Sequence, residues 1–235
     1  MIEEYGDEWG NKPMFHYRWF YEPDQVSAAE RLARSLMPGV DPSSGSEMIK
    51  GRMIPRLKLV GSSVETKDQI EGSFKRQLAI LEEHLAHRKY LLGGRPAFGD
   101  FGLYAQLYQC SSDPTPGAII KTTSPHVLSW IDRMLDPKRE GEFEMWDALR
   151  STLMPLLKEE IGGTFFPWTA ANARALAAGQ KEFSMQLRGK PYSQETQKYH
   201  AKSLAALRAR YAGVADKRAL DPILTEAGCL EFLQQ

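Results

Sequence analysis

The sequence predicts an all-α fold with a minor β element, and three observations carry that prediction. Apolar residues recur at three- and four-residue steps along most of the 235-residue chain, as one buried helical face requires. Strand-like alternation is confined to Phe183, Met185 and Leu187, just before Arg188-Gly189-Lys190-Pro191-Tyr192. Nothing alternates strand with helix in βαβ fashion, and there is no internal repeat or heptad array.

The first element is a helix. From Ile2 through Tyr5, Trp9 and His16 to Phe20, large residues recur at helical steps behind an acidic start, which suits the helix dipole. Pro13 inside this pattern predicts a kink or break. Residues 14–21 hold five aromatics, so either the helix is covered on two sides or part of it lines a cavity. Pro23-Asp24-Gln25 restarts a helix that Pro38-Gly39 ends. Residues 38–63 read as a long irregular loop with room for a short helix near Met48–Leu59. Ile70, Phe74, Leu78, Leu81 and Leu85 form the clearest amphipathic face in the chain.

The stretch Leu91–Tyr108 organises the rest of the chain. Gly93, Gly94 and Pro96 stop one run, and Phe101, Tyr104, Leu107 and Tyr108 begin another directly after Asp100. A carboxylate in a first helical turn can accept orphan backbone N–H bonds, so Asp100 is assigned a capping role. Residues 111–117 read as a turn-rich loop, and Ser124-Pro125 starts a helix that Asp136-Pro137 stops. A helix from Phe143 bends at Pro155 and closes at Ile161-Gly162-Gly163, and an alanine-rich helix covers 170–178. A hairpin near 182–193, a helix from about Ser193, and a short terminal element with Gly228 as its C-cap complete the chain.

Composition excludes several functions. Thirty Lys and Arg balance thirty Asp and Glu, so the basic footprint of a nucleic-acid or anionic-membrane binder is missing. No run approaches the ~20 apolar residues of a membrane span, and the acidic, aromatic first twenty residues do not resemble a signal peptide. Cys110 and Cys229 fit no metal or redox spacing and read as buried residues of a reducing compartment, so the expected location is the cytoplasm. His84 and His87 read as a surface pair rather than a metal site, and no metal ligand set is assigned. The paired serines, Ser62-Ser63 among them, sit in turn-like contexts with nothing to make them nucleophiles. His16 is the one histidine singled out for a functional test, and no catalytic residue can be assigned.

The run Gly94-Arg95-Pro96-Ala97-Phe98-Gly99-Asp100-Phe101, followed by a helix and by Ser124-Pro125-His126-Val127-Leu128-Ser129-Trp130-Ile131-Asp132-Arg133-Met134, resembles the C-terminal helical domain of the glutathione transferase family. That family starts the domain's buried helix with a Ser/Thr-x-x-Asp capping box. Here the aspartate is kept as Asp100 while the hydroxyl position is Ala97, a loss worth ~1 kcal/mol. The resemblance covers residues 1 to about 136 and implies a helical domain over 1–140. Residues 141–235 are then a helical extension, with its hairpin, packed on the same core.

The resemblance also implies a function. The family's glutathione site belongs to an N-terminal thioredoxin-like domain with no counterpart in these residues, so no catalytic residue is carried over and no cofactor is expected within the chain. Glutathione enters as co-substrate only where such a domain is supplied. What transfers is a wall for a hydrophobic small molecule: Tyr5, Trp9, Phe15, His16 and Trp19, with Tyr104 and Tyr108. The expected role is hydrophobic-substrate binding for glutathione conjugation, inactive alone, with a thioredoxin-like domain or a second copy as partner. The alternative is a non-catalytic hydrophobic-ligand-binding or assembly module.

Overall fold

The computed structural model describes residues 1–235. Helices α1 (Ile2–Glu8), α2 (Asn11–Phe20), α3 (Glu22–Leu36) and α4 (Pro42–Met53) lead into a 3₁₀ segment, Ile54–Val60. Helices α5 (Lys67–Leu85), α6 (Phe98–Ser111), α7 (Pro114–Thr123) and α8 (Pro125–Arg133) come after it. Next is a long helical rod made of α9 (Trp146–Pro155), a π-segment (Leu156–Phe165) and α10 (Phe166–Ala177). Strands β1 (Glu182–Leu187) and β2 (Lys190–Glu195) pair antiparallel, and α11 (Lys198–Ala212), α12 (Leu220–Glu226) and α13 (Leu230–Leu233) end the chain. The fold is mostly α, with a single two-stranded sheet.

One apolar cluster of 38 buried residues runs through the molecule, from Tyr5 and Trp9 through Leu103 and Trp130 to Phe166 and Leu224. It draws on both sides of position 140, so the two halves of the chain share a core. Its centre is the crossing of α1 and α6, where glycines replace side chains. A Cβ on Gly6 would lie 2.6 Å from the carbonyl carbon of Gly102, and one on Gly102 would lie 2.7 Å from the Glu3 carbonyl oxygen. Backbone meets backbone there, with nothing flexible to give way.

Asp100 caps α6 as expected and does more. Its Oδ2 accepts the Ala97 N–H at 2.9 Å, while Oδ1 accepts the Leu91 N–H at 2.9 Å and the Trp130 Nε1–H at 3.0 Å. Ala97 cannot return a side-chain bond, so only the aspartate half of a capping box exists. Leu91 and Trp130 supply the rest of the joint.

Several boundaries differ from the sequence expectation, each for a local reason. The break in the first helix falls at Trp9-Gly10, not at Pro13. Pro13 sits in the first turn of α2, where a missing N–H costs nothing. Residues 38–63 are largely helical, because Asp41 caps α4 by accepting the Ser44 N–H at 2.9 Å, with Pro42 as the first helical residue. Residues 114–117 already belong to α7. The buried Asp24, from α3, accepts the Thr115 N–H at 2.8 Å, a cap supplied from 91 positions away.

Gly162-Gly163 does not close a helix. A Cβ on Gly162 would lie 1.9 Å from the Ala227 carbonyl oxygen, so this glycine serves tight packing while the rod continues as a π-segment. Ser193 pairs with Ser184 in the hairpin, and α11 begins five residues later. The hairpin itself falls where alternation predicts it, and Gly228, with φ +67, comes just after α12.

Two substitutions test this frame by thermal or denaturant unfolding. Asp100→Ala strands two buried N–H donors and the half-buried Ala97 N–H, and should cost at least about 2 kcal/mol, at about 1–3 kcal/mol per buried orphaned group. Gly102→Ala forces α1 and α6 apart and should cost about 1–3 kcal/mol.

Candidate functional site

The first turn of α6 does not close against its neighbours. Met1, Ile2 and Glu3 at the start of α1, Leu91 and Leu92 from the connection after α5, and Ala97 to Gly99 form one side of a cavity. Trp146, Leu153 and Leu157 from the long rod, with Leu220, Ile223 and Leu224 of α12, form the other. Its volume is about 460 Å³, and twelve of the fourteen lining residues are apolar. A space of this size suits a small organic molecule. Asp100 sets one wall directly, because its bond to the Leu91 N–H fixes that residue beside α6. Phe98 stands at the edge with 77% of its surface exposed, and Met145, next to Trp146, with 81%.

The seven residues expected to form a substrate wall do not share a surface. Tyr5 and Trp9 are fully buried. The Tyr5 ring meets Phe165 edge-on at 6.2 Å, and Trp9 meets Trp168 at 5.4 Å while its Nε1 donates to Ser73 Oγ at 2.8 Å. Trp19 lies in a separate small cluster with Ala28 and Ala29, and Phe15 packs 6.3 Å from its ring. Tyr104 lies edge-on to Trp130 at 6.4 Å, and the half-exposed Tyr108 lies 5.5 Å from Tyr104. None of the seven lines the apolar cavity. In the aromatic run 14–21, protein covers two sides: Tyr17 meets Phe74 of α5 at 5.3 Å, and Trp19 packs with Ala28 and Ala29 of α3.

His16 is buried in a line of polar groups. Its Nδ1 lies 2.7 Å from Ser62 Oγ and its Nε2 3.3 Å from Glu71 Oε1, which also accepts the Tyr21 hydroxyl. The order serine, histidine, carboxylate is that of a nucleophilic triad. The surroundings are not. The Ser62 N–H is engaged by the Leu57 carbonyl and the Ser63 N–H by Thr66 Oγ1, so neither can stabilise an oxyanion. Ser62 itself is only 5% exposed. Burial holds the His16 pKa below the usual histidine value, and the line fastens α2 to the turn after the 3₁₀ segment.

Of the two helical histidines expected at the surface, only His87 is exposed. His84 is fully buried, with Nδ1 at 2.8 Å from Thr152 Oγ1 and Nε2 at 2.9 Å from the Leu91 carbonyl oxygen. Both cysteines are buried, and burial pushes the Cys229 thiol up to about 12. The structure brings together no cluster of three or more His, Cys, Asp or Glu side chains able to hold a metal ion.

Two buried polar joints gave no signal in the sequence. Lys12 is 1% exposed, yet its Nζ donates to Gln194 Oε1 at 2.6 Å and to the Val60 carbonyl at 2.9 Å, 4.2 Å from the Trp168 ring centre. Burial holds its pKa well below the usual lysine range. Glu160, in the π-segment, accepts from Arg76 Nε at 2.8 Å and from the Ser73 hydroxyl, and burial raises its pKa. The cavity lining was equally hidden, since Ile2, Leu153, Ile223 and Leu224 read as ordinary core positions.

Residues 64–133, spanning α5 to α8, match the family model described as glutathione S-transferase, C-terminal domain. The match covers less than a third of the chain, and over that stretch the chain is similar to this domain. Within it, the carboxylate that starts α6 is Asp100, and the apolar cavity opens at the first turn of that helix. No curated protein and no solved structure matches the chain. No helix is long and apolar enough to cross a membrane.

The buried His84 predicts a pH effect. Its folded pKa lies below its unfolded value near 6.5, so the unfolded chain binds the proton more readily. The stability it secures is fully present above about pH 6.5 and is lost as pH falls toward the folded pKa. Compared with His84→Gln, the native protein should therefore lose more stability between pH 7 and pH 5 in denaturant titrations. Parallel curves would overturn the assignment.

Proposed function

We propose that this glutathione S-transferase-like protein binds an apolar small molecule in the cavity between α1, α6, α9 and α12. The observation that supports the reading is the cavity itself: about 460 Å³ with an almost wholly apolar lining. Burial of apolar ligand surface there is favourable by roughly 25 cal/mol per Å², and the lining demands no hydrogen bond from the ligand.

In this reading the helical domain contributes substrate binding, and conjugation draws on glutathione held by a thioredoxin-like domain. Such a domain would lower the thiol pKa, and the shared site would bring thiolate and electrophile together. The single two-stranded sheet of residues 1–235 supports this division, since a thioredoxin-like domain is built on a larger sheet. The purified 235-residue chain should accordingly bind hydrophobic conjugates without turning over a standard aryl halide with glutathione. Clear turnover would overturn this division of labour.

A second reading rests on a different observation. Phe98, Phe101 and Tyr108 are exposed along one side of α6, with Met145 exposed near the cavity. An apolar rim of this kind suits docking of a second copy or a thioredoxin-like partner.

Binding of an environment-sensitive apolar dye, followed by dye emission and by isothermal titration, separates the readings. Ile223→Arg places a charge in the cavity and should weaken dye binding at least tenfold, whereas Phe101→Glu, on the exposed side of α6 and outside the cavity lining, should change sedimentation behaviour and leave the dye affinity within about twofold. The reverse pattern would assign the apolar surface to assembly.

A further inference from the structure

A second pocket, sharing no lining residue with the apolar cavity, lies between α5, the π-segment and the tip of the hairpin. Its volume is about 160 Å³, and its lining is polar: Arg76, Arg188, Lys190, Asp68, Gln69 and Thr164 dominate it. Three cations and one carboxylate converge on a space too small for a drug-sized ligand.

Both guanidinium groups are positioned by something behind them. Arg76 is steadied by Nε donating to the fully buried Glu160 at 2.8 Å, and neither of its Nη groups makes a hydrogen bond within the protein. Glu160 is held in turn by the Ser73 hydroxyl, which accepts from Trp9 Nε1 at 2.8 Å. Arg188 occupies the first position of a two-residue turn with φ +51, followed by Gly189 with φ +76. That backbone is the one Asn, Asp and Gly adopt readily, and an arginine is strained in it. Its guanidinium reaches back to the Glu159 carbonyl at 2.9 Å.

Gln69 fixes the hairpin tip to α5, donating from Nε2 to the Leu187 and Lys190 carbonyls at 3.1 Å each. Lys190 and Asp68 form no ion pair with any protein group, whereas Arg76 pairs with Glu160 and Arg188 faces Glu159 at 3.7 Å.

We propose that this pocket binds a small zwitterion of the α-amino-acid class, its carboxylate against the free Arg76 and Arg188 donors and Lys190, and its ammonium against Asp68. Guanidinium groups match a planar carboxylate with paired donors, and they supply direction that a lone lysine does not. The charge balance selects the ligand further. Arg76, Arg188 and Lys190 are offset by Asp68, Glu159 and Glu160, so the site as a whole is close to neutral and favours a ligand that is neutral overall but internally charged. A phosphate-like dianion would meet Asp68 at the cost of like-charge repulsion.

Isothermal titration of the 235-residue protein with glycine and L-alanine tests the proposal, with acetate, methylammonium and inorganic phosphate as single-charge-type probes. Saturable millimolar binding of the amino acids is expected, weakened roughly tenfold by Arg188→Asn and by Asp68→Asn. Arg188→Asn installs a residue the turn prefers, so its unfolding midpoint should not fall, and a loss of binding in this variant is not a loss of fold. Absence of saturable amino-acid binding, or binding indifferent to Arg188→Asn, overturns the site. Acetate or phosphate binding as tightly as glycine, with no response to Asp68→Asn, overturns the zwitterion as its ligand.

Discussion

Asp100 is a carboxylate with no exposed surface, and three elements depend on what it accepts. The Leu91 N–H sets the connection leaving α5, the Ala97 N–H starts α6, and the Trp130 indole holds α8 against both. Burial raises its pKa, and the three donors oppose that shift by favouring the charged form. The cost of burying the charge is met by bonds that no single helix could provide. With α6 placed, Gly102 can face Gly6 at backbone distance, and α1 is brought across it. The cavity owes its existence to the same bond, since Leu91 lines one side and is anchored by Asp100 from beneath.

The joint between the first sixty residues and the hairpin end of the chain is of a different kind. Lys12 threads from α2 into a box of Trp9, Trp168 and Tyr192 and ends on Gln194 Oε1, which also accepts from Trp168 Nε1 and the Tyr192 hydroxyl. Gln194 Nε2 returns a bond to the Leu59 carbonyl at 2.7 Å. Helix α2, the 3₁₀ segment, α10 and the hairpin therefore meet at a single polar knot inside apolar surroundings. Removing one partner would leave the others buried without bonds. Residues 141–235 are consequently part of the same folded body and not an appendage.

The mainly α class, the hairpin and the cap at Asp100 were legible in the sequence because each is a local signal: spacing, alternation, an acid in a first turn. The helix beginning at Pro114 was not, because its cap is Asp24, far away in sequence and near only after folding. The same holds for Gly162, whose neighbour is the Ala227 carbonyl. The aromatic helix was rightly read as over-supplied with rings for one buried stripe. Spacing alone does not say whether a second side meets protein or ligand, and Tyr17 against Phe74 with Trp19 against Ala28 and Ala29 shows protein on both. Apolar cavity positions are the hardest case. Leu153 and Leu157 obey the periodicity of a packed face whether or not atoms fill the space beside them.

The π-segment explains how one rod can serve two chemically different spaces. Leu153 and Leu157 face the apolar cavity at the four-residue step of an α-helix, while Thr164, further along, faces the polar pocket. Pro155 and Pro167 each remove a backbone donor near the ends of the segment, and in between the bonding widens to five-residue steps, seen also in Thr164 Oγ1 donating to the Glu159 carbonyl at 3.1 Å. A wider turn advances each side chain by a smaller rotation than an α-helix does. Residues beyond Leu157 thus drift off the apolar face. Glu160, within the segment, is aimed at Ser73 and Arg76. Glu160 therefore stays off the cavity lining, and the polar pocket gains a fixed guanidinium.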